Sequence, residues 1–402
     1  ESKSVPLQTA SLDCIAKLVN YAFFADDSSS GGKILADLVV NTVCDCFDDS
    51  MDERVTVQIV KALLACVLST SIRVHQSSLL RAVRTVYNIF LMSRTVSHQA
   101  IAQGSLAQMI NYVFSRVPRH IGDAAPVPES AEPVTLEILE NRRSFEGAVE
   151  REDGTQIVPT PMDAPDLLVK DAFLVLRALC KLSMKPLGSE SERDIRSHAM
   201  RSKLLSLQMI HEVLKNHMDV FTDDSVRINS TTTGEQTAFV HAVKQYICIT
   251  LSRNAVSSVL PVFEASCEIL WLVLDGMRIK VKKEIEVLLN EIFLPILEMR
   301  NSMPAQKTVL LGIVLRLCRD PQALVELYLN YDCDRAALEN VYERLINVVS
   351  RLAQLPSDEE SSEARLRRVS LDCLCSTLHS LVTWAGRDGW ADMPDAHETQ
   401  TN

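Results

Sequence analysis

Glycine and aromatic residues are scarce in this chain: 12 glycines and 5% aromatics among 402 residues. A sandwich or barrel needs many glycine-rich turns and many short β-branched or aromatic strands, so both architectures are disfavoured. No apolar run approaches the ~18 residues of a membrane-spanning helix; Ile269–Leu274 is among the longest. A basic-then-apolar leader is absent from the N-terminus, which begins with Glu1 and so reads as a piece cut from a longer protein. Excess positive charge is also missing. The net charge is −11, which argues against a general nucleic-acid binder, because counterion release needs a basic surface. It argues equally against nonspecific adsorption to anionic membranes, leaving local basic patches.

What is present is apolar and helical in period. Apolar residues make up 47% and charged residues 23%, enough to bury a large core. Leu168, Ala172, Val175, Leu179 and Leu182 form one helical stripe. Leu204, Leu207, Ile210, Leu214 and Met218 form a second, and Leu338, Val341, Leu345, Val348 and Leu352 a third. The pattern predicts helices over 7–25, 33–47, 53–69, 74–93, 97–116, 166–183, 194–219, 235–253, 257–275, 279–299, 304–319, 321–329, 335–354 and 363–385. No convincing series of period-2 strands occurs. Asp320-Pro321 reads as an N-cap followed by the first helical position. Helix starts near 235, 279 and 321 recur at the ~40–47-residue period of HEAT and armadillo repeats. The fold class expected is therefore all-α, an armadillo/HEAT-like α-solenoid of stacked helices.

Residues 123–166 hold 11 acidic residues, 3 basic residues and 6 prolines. This composition reads as an acidic connection, with a local helix near Leu136–Arg143. The expected organisation is a helical region over 1–120, an acidic proline-containing linker over 121–165, a second helical region over 166–387 and a tail over 388–402. A solenoid can also continue past a long inserted loop. Thr222–Gly234 reads as a second loop.

The chemistry of an enzyme is hard to find. There is no GxxxxGK[ST] or GxGxxG loop, no HExxH and no paired CxxC. Cys44/Cys46 and Cys373/Cys375 are CxC pairs, which point in different directions on a helix. The cysteines number 11, an odd count; Cys66, Cys180, Cys248, Cys267 and Cys318 lie in apolar patterns, as small buried hydrophobes in a reducing compartment do. Asp332, Asp334 and Glu343 mimic three positions of a calcium loop, but Ala336 and Ala337 stand where a ligand and a glycine are required. No cofactor, metal or catalytic residue is expected.

Two kinds of feature remain. Basic residues cluster at Arg278, Lys280, Lys282 and Lys283, and again at Arg73, Arg81, Arg84 and Arg94 along one expected helix. A third cluster, Arg193, Arg196, Arg201 and Lys203, has acidic neighbours. Each reads as a solvated face or as a contact to a partner or lipid. The sharper feature is Asn330-Tyr331-Asp332-Cys333-Asp334 between two helical patterns. Asn330 suits a left-handed helix C-terminus, Asp332 or Asp334 can cap the helix that follows, and Tyr331 can bury its ring while its hydroxyl finds a partner. The same polar turn can equally present a docking surface.

Leu327–Asp334 (LYLNYDCD) resembles the signature box of the large Arf guanine-nucleotide exchange factors, in their HUS region (homology upstream of the catalytic domain). Lys283–Leu294 (KEIEVLLNEIFL) is similar to the BIG/Sec-seven branch, which works at the trans-Golgi. Ser11–Val19 (SLDCIAKLV), Gln58–Leu64 (QIVKALL) and Leu80–Ile89 (LRAVRTVYNI) resemble that branch's DCB region, named for dimerisation and cyclophilin binding. His198–Leu205 (HAMRSKLL) resembles the start of its HUS region. The resemblance implies an armadillo-like solenoid without the nucleotide-exchange domain, cytoplasmic and recruited peripherally to trans-Golgi membranes. It implies Arf-family small GTPases and a downstream catalytic domain as partners, and self-association into a homodimer. A structural dimerisation or scaffolding module of the same exchange factor is the competing reading. A nuclear-import adaptor is disfavoured, since Trp271, Trp384 and Trp390 form no repeating ladder.

Overall fold

The structure, a computed structural model, describes residues 4–24, 32–48, 52–119, 164–229, 236–356 and 362–386. Nearly all of the expected linker with its local helix, the tail, and most of the gap between the first two expected helices lie outside the described residues, as does part of the loop before Gly234.

The chain divides into two compact units that meet in sequence at Thr250/Leu251. The first contains helices α1 (Val5–Asn20), α2 (Gly32–Asp45), α3 (Glu53–Leu68), α4 (Gln76–Met92), α5 (Val96–Ser115), α6 (Ala164–Ser183), α7 (His198–Asn216) and α8 (Met218–Thr222). Sequence chemistry sets their ends. Asp52 accepts from the Arg54 N–H at 2.8 Å and opens α3; Ser197 accepts from the Met200 N–H at 3.0 Å and opens α7. Helix α3 turns Val55, Ile59, Val60, Leu63, Cys66 and Val67 inward. α1 packs on α3, α4 on α5, α6 on α7, and α5 on α7.

Helices from both sides of 120–163 thus share this unit. The Tyr87 hydroxyl of α4 lies 2.6 Å from the Ser202 carbonyl, 2.7 Å from the Ser202 hydroxyl and 2.8 Å from the Ser206 hydroxyl of α7. Asp171 of α6 accepts from the Gln76 N–H at 2.7 Å and lies 2.6 Å from His75 Nδ1, which covers the N-terminus of α4. The other end of α4 is met by Arg201, whose guanidinium donates to the Phe90 and Leu91 carbonyls and stacks over the Phe90 ring. Lys203 is buried and donates to the Ser183 carbonyl at the end of α6. Two members of the third basic cluster are therefore helix caps.

In a two-stranded antiparallel hairpin, β1 (Arg227–Asn229) stands in the expected loop and its partner β2 (Gln236–Ala238) replaces the first residues of the expected helix 235–253. Three-residue strands are too short for a period to show. Helix α9 (Phe239–Ala255) follows it. The expected helix 194–219 is also interrupted: a 3-10 turn at Ser191–Arg193 precedes α7, and His217 breaks the chain before α8.

The second unit holds α10 (Leu260–Gly276), α11 (Lys282–Leu288), α12 (Leu294–Glu298), α13 (Pro304–Cys318), α14 (Pro321–Leu327), α15 (Val341–Ala353) and α16 (Ser362–Ala385). Helix starts at Phe239, Lys282 and Pro321 keep the expected repeat spacing. Asp320 accepts from the Gln322 and Ala323 N–H groups, with Pro321 at the first helical position. A π turn, Leu289–Phe293, joins α11 to α12 through a Leu294 N–H to Leu289 carbonyl bond. Pro295 follows at once; it has no N–H and its ring crowds the preceding turn, so a widened turn fits there. Helix α13 packs on α10 and α16, and α15 on α12 and α16. Leu270, Phe293, Leu294, Leu310, Leu317 and Leu345 meet in the apolar centre.

Both units are stacks of amphipathic helices, in which α5 runs parallel to α7 and α13 parallel to α16, so the fold is an all-α helical-repeat solenoid. Cys66, Cys180, Cys248, Cys267 and Cys318 are buried free thiols. Burial pushes Cys66 and Cys180 up to about 12, far from reactive thiolates. In the two CxC pairs, Cys44 and Cys373 point inward, Cys46 is partly covered and Cys375 is exposed.

Candidate functional site

The signature turn grows out of α14. After Leu327 the helix widens into a second π turn, Tyr328–Asp332, closed by a Cys333 N–H to Tyr328 carbonyl bond of 3.1 Å. Asn330 therefore does not end the helix in a left-handed conformation; among the described residues the only non-glycine positions with positive φ are Ala22 and Gln76. The widened turn sorts its side chains. Tyr331 is buried, whereas Tyr328, Leu329 and Cys333 are exposed, and Asn330 is half-buried.

Tyr331, Asp332 and Asp334 all have partners. The Tyr331 hydroxyl donates to the Lys282 carbonyl at 2.9 Å. Lys282 Nζ donates to Asp334 Oδ2 at 2.6 Å and lies 5.9 Å from the centre of the Tyr331 ring. Asp334 Oδ1 accepts from the Ala336 N–H at 2.9 Å. Asp332 uses both oxygens on the Tyr342 and Glu343 N–H groups, each at 2.9 Å, and so caps α15 from ten positions upstream. Glu286 accepts from the Leu338 N–H. Tyr328 meets Tyr342 edge-on at 5.7 Å.

The electrostatics follow. The Lys282 ammonium holds the Asp334 carboxyl below the usual carboxylate range, helped by the Ala336 N–H. Burial, reinforced by Glu286 and Glu284, pushes the Tyr331 phenol far above its ordinary value. Tyr331 is a neutral donor at any physiological pH. The carboxylates of the rejected calcium pattern are occupied by N–H groups and an ammonium. Among the described residues no group of three or more His, Cys, Asp or Glu is arranged to hold a metal.

Helix α15 starts at Val341, not at 335, because Asp332 caps there. Leu338 therefore lies outside the helix and is exposed rather than continuing the apolar stripe. Beside the turn an open polar groove of about 750 Å³ is lined by Glu339, Asn340, Glu343, Arg344, Asn347 and Arg351, with Ser350 and Gln354. Arg344 is fixed in it by both Glu298 oxygens at 2.9 Å, by Glu339 at 2.8 Å and by the Asn290 carbonyl at 3.2 Å.

The basic candidates separate by environment. Arg278 donates to Glu326 and to the Asp275 carbonyl, and Lys282 belongs to the turn. Lys280 and Lys283 are half-buried. Arg73, Arg81 and Arg84 belong to the first unit and are exposed. Arg73 precedes α4 and Arg94 follows it, so those two are off the helix along which the sequence had placed all four. Arg81 donates to Asn41 at 2.7 Å and pairs with Asp45; Arg84 makes no ion pair among the described residues. Sequence reasoning missed the partners of Arg278 and Lys282. They lie 48 and 52 positions away, and no local pattern announces them.

A helical stack with polar clasps between neighbouring repeats is the architecture of repeat-built proteins. Residues 1–120 match the dimerisation and cyclophilin-binding domain of Mon2/Sec7/BIG1-like proteins, and residues 168–340 match their HUS domain. The chain belongs to this family of Sec7/BIG-type Arf exchange factors. It is 44% identical to the ADP-ribosylation factor guanine nucleotide-exchange factor sec71 of Schizosaccharomyces pombe, over 96% of this chain and 25% of that protein. It is 33% identical to SEC7 of Saccharomyces cerevisiae, over 96% of this chain and 23% of the relative. Against human brefeldin A-inhibited guanine nucleotide-exchange protein 1 the identity is 30%, over 96% and 29%. The chain thus spans about a quarter of the length of these relatives. No helix of the described residues is long and apolar enough to cross a membrane.

Proposed function

We propose that this chain is the non-catalytic regulatory and targeting module of a large Arf guanine-nucleotide exchange factor. It binds membrane-anchored Arf-family GTPases, holds a downstream catalytic domain near the trans-Golgi bilayer and so promotes Arf activation in vesicle traffic. The carrying observation is the ordered pair of regulatory-domain matches, over 1–120 and 168–340, in a chain a quarter as long as its relatives. Tethering through a second contact raises the effective concentration of a membrane-bound substrate without any new catalytic group. Arg73, Arg81 and Arg84 supply exposed positive charge for a GTPase or lipid contact. In the signature turn, Tyr331, Asp332 and Asp334 hold the repeats together, while Tyr328, Leu329 and Leu338 offer an exposed recognition face.

The test is flotation of the chain on liposomes carrying Arf-family GTPases in GDP- and GTP-loaded forms. Capture selective for the GTP form is expected; equal capture in both states overturns the GTPase reading. A dimerisation or scaffolding module is the second reading. It is favoured by the description of the matched first domain and by exposed Leu7, Tyr21, Phe23 and Leu38 on or beside α1 and α2. A monomeric mass by light scattering across a wide concentration range removes it.

A further inference from the structure

The two ends of α10 differ in chemistry. At its C-terminal end, Arg278 is neutralised by Glu326, with Asp320 at 3.9 Å. Its N-terminal end adjoins two loops of the second unit, the one leading into α10 and the one between α12 and α13. Gln306 Nε2 donates to the Ser257 carbonyl at 2.9 Å and ties these loops together. Val256 and Met303, near that bond, are 69% and 46% exposed, and Met299 is 59% exposed. Single exposed apolar residues are ordinary; three on one edge with unneutralised positive charge are not.

That charge stands out. In a chain of net charge −11, residues 251–263 and 299–319 contain no Asp or Glu. Arg300 is exposed and Arg253 half-buried, and neither has an ion-pair partner among the described residues. The nearest flanking carboxylates are Glu264 and Glu298. Glu298 is engaged by both nitrogens of Arg344, with Arg351 at 3.9 Å.

We propose that this loop edge is a lipid contact. Val256, Met299 and Met303 enter the headgroup–acyl boundary of an anionic bilayer, and Arg253 and Arg300 meet lipid phosphates. Apolar tips give depth and cations give selectivity for anionic lipid, the two terms by which peripheral segments hold membranes. The contact goes beyond the recruitment proposed above, because it needs no GTPase and uses none of the basic residues assigned to it.

The experiment floats the 402-residue chain, without any GTPase, on phosphatidylcholine vesicles with and without a minority of phosphatidylserine. Capture is expected on the phosphatidylserine vesicles and weakens with salt. The double variant Met299→Ser/Met303→Ser loses roughly tenfold in partitioning. Arg300→Glu weakens capture and flattens its salt dependence. Ile279→Ser, an exposed apolar site at the other end of α10, changes nothing. All these positions are exposed, so unchanged melting curves certify the variants. No capture of the unaltered chain, capture indifferent to phosphatidylserine, or capture indifferent to the loop variants each overturns the proposal. GTP-dependent recruitment of a chain that bare phosphatidylserine vesicles do not capture leaves the GTPase reading standing and removes this one alone.

Discussion

In the first unit, the polar contacts that close the fold across 120–163 join residues 95 to 119 positions apart and bury hydroxyls, an imidazole and carbonyls. In the second, the comparable contacts join residues 46 to 62 positions apart; many are carboxylate–cation pairs at half-exposed helix edges, beside a few buried bonds such as Ser380 to the Cys318 carbonyl. The difference separates two tasks. Buried clasps, the Asp171 carboxylate and the Lys203 ammonium among them, are costly to leave unpaired and are screened by salt much less than surface pairs. Edge ion pairs fix the register of successive repeats but contribute little each. The first unit is thus built to hold two sequence-distant regions as one body, and the second to align neighbouring repeats.

The largest test of that contrast is Phe114→Ala. Phe114 of α5 is fully buried, stacks on Phe221 at 6.3 Å and lies 5.7 Å from His217. Removing it should cost about 3–5 kcal/mol and lower the thermal transition of the first unit while leaving that of the second. Tyr87→Phe should cost about 1–2 kcal/mol in the same unit, because it strips a buried hydroxyl cluster of one member. Calorimetry reads both effects. Asp332→Ala removes the cap of α15 and should cost the second unit about 1 kcal/mol; added protease should then cut first near 333–345.

A pH titration sharpens the comparison with a smaller effect. Burial, with the Arg119 charge beside it, lowers the affinity of His217 for a proton. Unfolding restores it, so the neutral form stabilises the first unit above pH 6.5 and that contribution fades as pH falls below 6.5. In the second unit the Arg344 guanidinium holds Glu298 below its ordinary value of 4.5. That contribution is complete above pH 4.5 and is lost only on further acidification. The first unit should therefore begin to soften at higher pH than the second, and His217→Gln should remove the difference.

Much of this was legible in the residues. The 3-to-4 stripes located the helices, Asp320-Pro321 marked a start, and Tyr331 and Asp332 behave as a buried donor and a helix cap because those side chains have few other ways to be satisfied inside a turn. What was hidden is equally physical. The π turns at Leu289–Phe293 and Tyr328–Asp332 each add a single residue to one helical turn, too brief a change of period for the apolar pattern to mark. Leu338 fits the stripe of α15 arithmetically, yet a remote carboxylate starts that helix three residues later. Arg278, Arg201 and Lys203 looked like surface charge because their partners are far away in sequence.

The account rests most heavily on the two matched regions sharing a core in the first unit. Co-expression of residues 1–120 and 164–402 as separate chains, with an affinity tag on one, tests this directly. The account predicts that the halves co-purify in equal amounts and that Phe114→Ala disrupts the complex. Halves that each fold but elute separately would contradict it.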